Sequence, residues 1–131
     1  MKMKKSVIFL SLIFVTGFFT NMYGQELIKG TDDNFNEKVI NSELPVVVYF
    51  WAEWKSECNK VTPIIKELSK EYVGLVNFVE VNVDNSKITA STFGVMDLPQ
   101  IVLFKKGEKV AFINGLRTKN FISDWLNNYI N

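Results

Sequence analysis

Cys58 is the single thiol of a 131-residue chain that contains no histidine. Its neighbourhood, Trp54-Lys55-Ser56-Glu57-Cys58, is the stretch whose residue types suit chemistry best. A thiolate attacks a disulfide sulfur, and a nearby cation or the amides of a helix N-terminus stabilise it. Lys55 precedes Cys58 by three residues, which puts both side chains on one face if that turn is helical. A lysine amine can itself be a nucleophile, but only in a desolvated pocket with an acid–base partner. Glu53 and Glu57 read more simply as exposed charges that keep Lys55 protonated. Against the reactive reading, an unpaired cysteine also serves as a small buried hydrophobe. A lysine at a helix start opposes the helix dipole by roughly a few tenths of a kcal/mol, a cost tolerated without any function. On residues alone, Cys58 as reactive thiol and Cys58 as core residue both stay open.

What the chain lacks narrows the field. Without histidine, Ser-His and Cys-His catalysis are excluded, and so is the commonest metal ligand. One cysteine closes no disulfide within the chain and builds no Cys-rich zinc site, so neither a metal nor a cofactor is expected. A formal net charge of +1 leaves no electrostatic footprint for nucleic acid. With 47% apolar and 22% charged residues the composition is that of a folded globular protein, not of a disordered chain or a fibre. The length suits one domain with a real core.

The N-terminus reads as a targeting segment. Met1-Lys2-Met3-Lys4-Lys5 is basic, and Ser6 to Phe19 carries no charge, as in the n- and h-regions of a secretory signal peptide. That run of about 14 residues is short of the roughly 20 needed to span a membrane. Cleavage after Gly24 is expected, giving a 1–24 signal peptide and a 25–131 domain. Met22 sits where a small residue is preferred, so an uncleaved N-terminal anchor is the alternative. Beyond residue 24 the chain has 12 basic and 14 acidic residues, a mildly acidic balance. Export, to the periplasm or the extracellular space, would put the single thiol in an oxidising compartment.

The remainder alternates helix and strand signals. Thr31-Asp32-Asp33 supplies helix-start chemistry ahead of Phe35, Val39 and Ile40. Pro45 ends a loop, and Val46-Val47-Val48-Tyr49-Phe50-Trp51 is an unbroken β-branched and aromatic run, which suits a central strand covered on both faces. Val61, Ile64, Ile65, Leu68 and Tyr72 recur at helical spacing, with Pro63 expected to kink that helix. A strand is expected over Val76 to Val83 and a short helix between Asn85 and Phe93. Ile101 to Phe104 and Val110 to Ile113 form a hairpin across Lys106-Gly107. Phe121, Ile122, Trp125, Leu126, Tyr129 and Ile130 mark an amphipathic last helix. The order predicts one α/β domain, a mixed sheet with helices on both faces.

Several of these segments resemble the thioredoxin family, in the right order and from about Leu27 to the C-terminus. Phe50-Trp51-Ala52-Glu53-Trp54-Lys55-Ser56-Glu57-Cys58 is similar to the family's active-site segment, where Trp-Cys-x-x-Cys joins the central strand to a kinked helix. Thr31-Asp32-Asp33-x-Phe35 looks like its first helix start, and Pro63 falls at its helix proline. Asn82-Val83-Asp84 matches the end of its third strand. Leu98-Pro99 sits at its cis-proline, Phe104-x-x-Gly107-Glu108 at its hairpin, and Gly115 before its last helix. The resemblance implies a thioredoxin-like fold and, for an intact member, a protein-disulfide oxidoreductase working in redox homeostasis of the cell envelope.

The resemblance also locates the departures. Lys55 stands at the attacking cysteine, and only Cys58, matching the resolving one, remains. Two-thiol exchange needs one thiolate to attack and a second thiol to release the mixed intermediate, so the two-cysteine mechanism is not available. Tyr49 occupies the place of the buried Asp that accepts a proton, and Glu80 stands where many members carry Lys. The family's client groove corresponds to Trp54, Asp97-Leu98-Pro99 and Asn114-Gly115-Leu116. Gln100 replaces the Thr usual after the proline. An extended segment can pair with the backbone beside the proline as an added strand, and that needs no thiol. The leading expectation is therefore a degenerate, exported member that binds a client or partner segment through Trp54, Leu98, Pro99 and Gly115. The alternatives are a single-cysteine oxidoreductase forming mixed disulfides through Cys58, and a redox-silent structural subunit whose groove is unused.

Overall fold

The structure, a computed structural model, describes residues 27–131. The expected signal peptide and its cleavage point lie outside the described residues. Five strands, β1 (Ile28–Gly30), β2 (Val46–Trp51), β3 (Asn77–Asn82), β4 (Gln100–Lys105) and β5 (Glu108–Asn114), form one sheet in the order β1-β3-β2-β4-β5. β1, β3 and β2 run parallel, whereas β4 and β5 are antiparallel to their neighbours. Three α-helices follow in chain order: α1 (Cys58–Glu71), α2 (Lys87–Thr92) and α3 (Lys119–Ile130).

β2 is central because its residues suit burial on both faces. Val46 through Phe50 are all buried, and each large apolar side chain so placed contributes roughly 1.5–3 kcal/mol. Its alternate residues feed two cores. Val46, Val48 and Phe50 join Phe35, Val39, Val102 and Phe104 on one face. Val47 and Tyr49 join Val61, Ile65 and Leu68 of α1 and Ile122 and Leu126 of α3 on the other. α1 and α3 are further tied where Lys119 pairs with Glu67 and Glu71. Among the described residues no helix is long and apolar enough to cross a membrane.

The expected elements are present with trimmed ends, and two regions differ. Asn36–Ile40 is a π-helical turn rather than a regular helix. The turn that leads into it is closed by Thr31 and Asn34 reciprocally, the Asn34 amide donating to Thr31 Oγ1 and the Thr31 amide to Asn34 Oδ1. β1 is an additional strand, at three residues too short to show an alternating pattern. α1 runs through Pro63 as one element. In the β4–β5 turn both Lys106 (φ 51°) and Gly107 (φ 80°) are left-handed, the conformation a two-residue hairpin favours. A Cβ on Gly107 would lie 2.9 Å from the Ile40 carbonyl oxygen, so the turn also fixes the hairpin against the π-helical turn.

Candidate functional site

The loop after β2 and the start of α1 meet the loop before β4 at one end of the sheet. Lys55 precedes the helix in a turn closed by its carbonyl, which accepts from the Cys58 amide at 3.1 Å. Its ammonium lies 3.4 Å from the Glu57 carboxylate, so the two charges at this exposed corner compensate each other. Cys58 opens α1 with its side chain inside: it is only 2% exposed and shares a buried cluster with Phe50, Ala52 and Leu98. The sequence left the thiol either reactive or packed; the geometry packs it.

Beneath Cys58 lies Tyr49, fully buried. Its hydroxyl donates to the Cys58 carbonyl oxygen at 3.1 Å and sits 2.9 Å from Thr62 Oγ1, which donates to that same carbonyl at 2.9 Å. Burial pushes the phenol's ionisation far above the ordinary range, outweighing the opposite effect of the contact with Thr62. A phenol held protonated at neutral pH does not take a proton from a thiol. Tyr49 therefore anchors the first turn of α1 and offers no general base. Glu80 pairs with Tyr49 across the β2–β3 ladder. It lines a cleft of about 350 Å³ together with Trp51, Cys58, Thr62 and Lys66. The Trp51 indole N–H is buried without a partner among the described residues.

Trp54 has the opposite disposition. It is 66% exposed, although its Nε1 donates to Asp84 Oδ2 at 3.0 Å, which fixes the ring above an open hollow of about 490 Å³. Glu53, Asn82, Asp84 and Asn85 line the rest of that hollow. Asp84 as the anchor of Trp54 was not anticipated; the only sequence signal was its position at the end of the third strand.

On the other side, the Leu98–Pro99 peptide bond is cis, the Leu98 side chain is buried in the core, and Pro99 is buried as well. The Gly115 amide donates to the Pro99 carbonyl at 2.8 Å, and Gly115 has φ +82°, a conformation favouring glycine. The Leu98 N–H and C=O have no hydrogen-bond partner among the described residues. Gln100, buried at the start of β4, donates through Nε2 to Asn114 Oδ1 at 2.8 Å, and its Oε1 has no partner among the described residues. Met96 and Leu116 stand exposed on the loops either side of the Pro99–Gly115 contact.

The structure thus brings Cys58 together with Leu98 and Pro99 together with Gly115, and it links Trp54 to Asp84. The loop carrying Leu98 follows α2, whose N-terminus is capped from outside. Asp32 accepts from the Thr89 amide at 2.8 Å, the Thr89 hydroxyl at 2.7 Å and the Ile88 amide at 3.4 Å. These bonds from Thr89 hold the Asp32 carboxyl below the usual carboxylate range. In the sequence Asp32 reads as a cap for its own turn; the partner 57 residues away has no local signal.

Comparison with known proteins agrees with this architecture. The thioredoxin family model matches residues 26–128. The chain is 44% identical over 99 residues to a thioredoxin of Rickettsia conorii, covering 76% of this chain and 94% of that protein. It is 44% identical over 100 residues to one of Rickettsia felis, covering 76% and 95%. It is 38% identical over 100 residues to a thioredoxin of Synechocystis, covering 76% and 94%.

Proposed function

The chain belongs to the thioredoxin family, and we propose that it serves there as an exported recognition module, binding an extended segment of a client or partner protein without dithiol turnover. The observation that carries this reading is the contrast in exposure across the site. Trp54 stands 66% exposed, while Cys58, the only thiol, is 2% exposed. A surface kept for contact with a thiol withdrawn from contact suits capture better than exchange.

The binding chemistry follows from the backbone. An extended segment laid beside Leu98 pairs, as an added strand, with that residue's N–H and C=O, which have no partner among the described residues. Gly115 has no side chain to obstruct it, and the indole of Trp54 supplies an apolar wall. Lys55, at the attacking position, forms no sulfur bond with a client, so release depends on ordinary dissociation. The basic and then uncharged N-terminal stretch supports export to the periplasm or the extracellular space.

A second reading draws on the cleft beside α1, which reaches Cys58. In it the Cys58 thiolate attacks one sulfur of a client disulfide, the other client sulfur leaves as a thiolate, and an external thiol resolves the mixed disulfide. The two separate by mutation. Capture of an extended peptide falls at least tenfold in Trp54→Ala and is unchanged in Cys58→Ala if recognition is the function, since an exposed aromatic anchor carries much of a small interface's affinity. Equal loss in both variants would contradict it.

A further inference from the structure

The surface around Trp54 is chemically lopsided. Two carboxylates, Glu53 and Asp84, line the hollow beneath the exposed indole, and the amides of Asn82 and Asn85 complete it. Asp97, next to Leu98 in the chain, is a further exposed acid. No lysine or arginine is among the residues that line the hollow, and Lys55, next to Trp54 in the chain, is paired with Glu57. Asp84 neutralises none of its charge by accepting from the Trp54 indole, because that donor is neutral.

An indole and two carboxylates in one open depression form the environment that an ammonium or guanidinium seeks. From this charge complementarity we infer that the occupant of the groove is an extended protein segment bearing a lysine or arginine whose side chain lies in the hollow beside Trp54. The inference rests on the groove reading above and adds to it the class of client. A basic side chain gains the carboxylates and the indole, whereas an acidic one at the same register meets like charge, so the surface selects as well as binds. The backbone of Leu98 supplies sequence-independent pairing, and the hollow supplies the preference.

The test uses the full protein and nine-residue peptides, capped at both ends and built from Ser, Thr, Val and Ala, with Arg, Lys, norleucine or Glu at the centre. Fluorescence anisotropy of the labelled peptides measures affinity at low and at physiological salt. The Arg and Lys peptides are expected to bind at least tenfold more tightly than the Glu peptide. That ratio should shrink as salt rises, as exposed charges require. Glu53→Gln with Asp84→Asn, which keeps an acceptor for the Trp54 indole, should bring the ratio to within about twofold, the Arg and Lys peptides losing affinity and the Glu peptide gaining it. Equal binding of all four peptides, lost in Trp54→Ala, would overturn the basic preference and leave the groove reading standing. Binding of none would defeat both.

Discussion

The hydroxyl of Tyr49 donates to the backbone carbonyl oxygen of Cys58, 3.1 Å away. The position at which family resemblance places a proton-accepting carboxylate is thus occupied by a group that holds the helix start and keeps its proton. Residue 55 carries no thiol and residue 49 no carboxylate. With Lys55 unable to form a mixed disulfide, a buried carboxylate would only cost desolvation, whereas a phenol fills the space with apolar surface and a satisfied hydroxyl.

Tyr49→Phe removes that hydroxyl while Thr62 still donates to the Cys58 carbonyl. A loss of about 1 kcal/mol is expected from urea unfolding, a drop in Tm of roughly 4–6 °C for a domain of this size. The pH dependence follows the raised ionisation of Tyr49. Below the unfolded-state value of 10.0 both states hold the proton and the full contribution is present. As pH rises past it the unfolded chain ionises first and stability falls, by up to ~1.4 kcal/mol per pH unit for one group. Tyr49→Phe should therefore show a shallower decline above pH 10 than the wild-type protein. An unchanged slope would contradict the assignment.

Asp32 gives the mirror-image prediction on the acid side. Its folded-state carboxyl is held down by Thr89, so its contribution is present above the unfolded value of 3.8 and is lost as pH falls through the folded-state value. Asp32→Asn should lower the urea midpoint at pH 7 and lose less further stability than wild type below pH 4. The amides of Ile88 and Thr89 should exchange faster in the variant, because the helix they begin has no cap of its own.

Lys55→Cys tests the correspondence of the active-site turn itself. The Cys58 amide already bonds to the residue 55 carbonyl, a closure that brings the two positions within reach of a disulfide. The variant should form that internal bond and gain slow disulfide reduction, slow because Tyr49 supplies no base. Failure to form the bond under oxidising conditions would mean that the turn does not correspond to the family's Cys-x-x-Cys.

How much of this was readable beforehand divides along the range of the interactions. The run Val46–Trp51, β-branched and bounded by turn signals, suits a strand buried on both faces, and the repeat of Val61, Ile65 and Leu68 suits a packed helix. Local pattern therefore located the elements that position the site. Pairings between distant residues were not readable. Asp32 carries the same helix-start chemistry whether it caps its own turn or that of Thr89, and nothing near Trp54 in sequence points to Asp84. The burial of Cys58 belongs to the same class, because it depends on how Ala52 and Leu98 close over the helix start. The π-helical turn escaped because Phe35, Val39 and Ile40 fit either helical spacing.

The central claim, recognition without thiol exchange, is tested most directly by mixing the protein with an excess of a disulfide-bonded peptide that carries an extended basic segment. Reversible binding is followed by anisotropy, and covalent products by intact mass over several hours at neutral pH. The account predicts saturable binding, the same in Cys58→Ala, with no mass shift at Cys58 until denaturant is added. Growth of a peptide adduct on the folded protein, absent in Cys58→Ala, would contradict it and establish a single-thiol oxidoreductase instead.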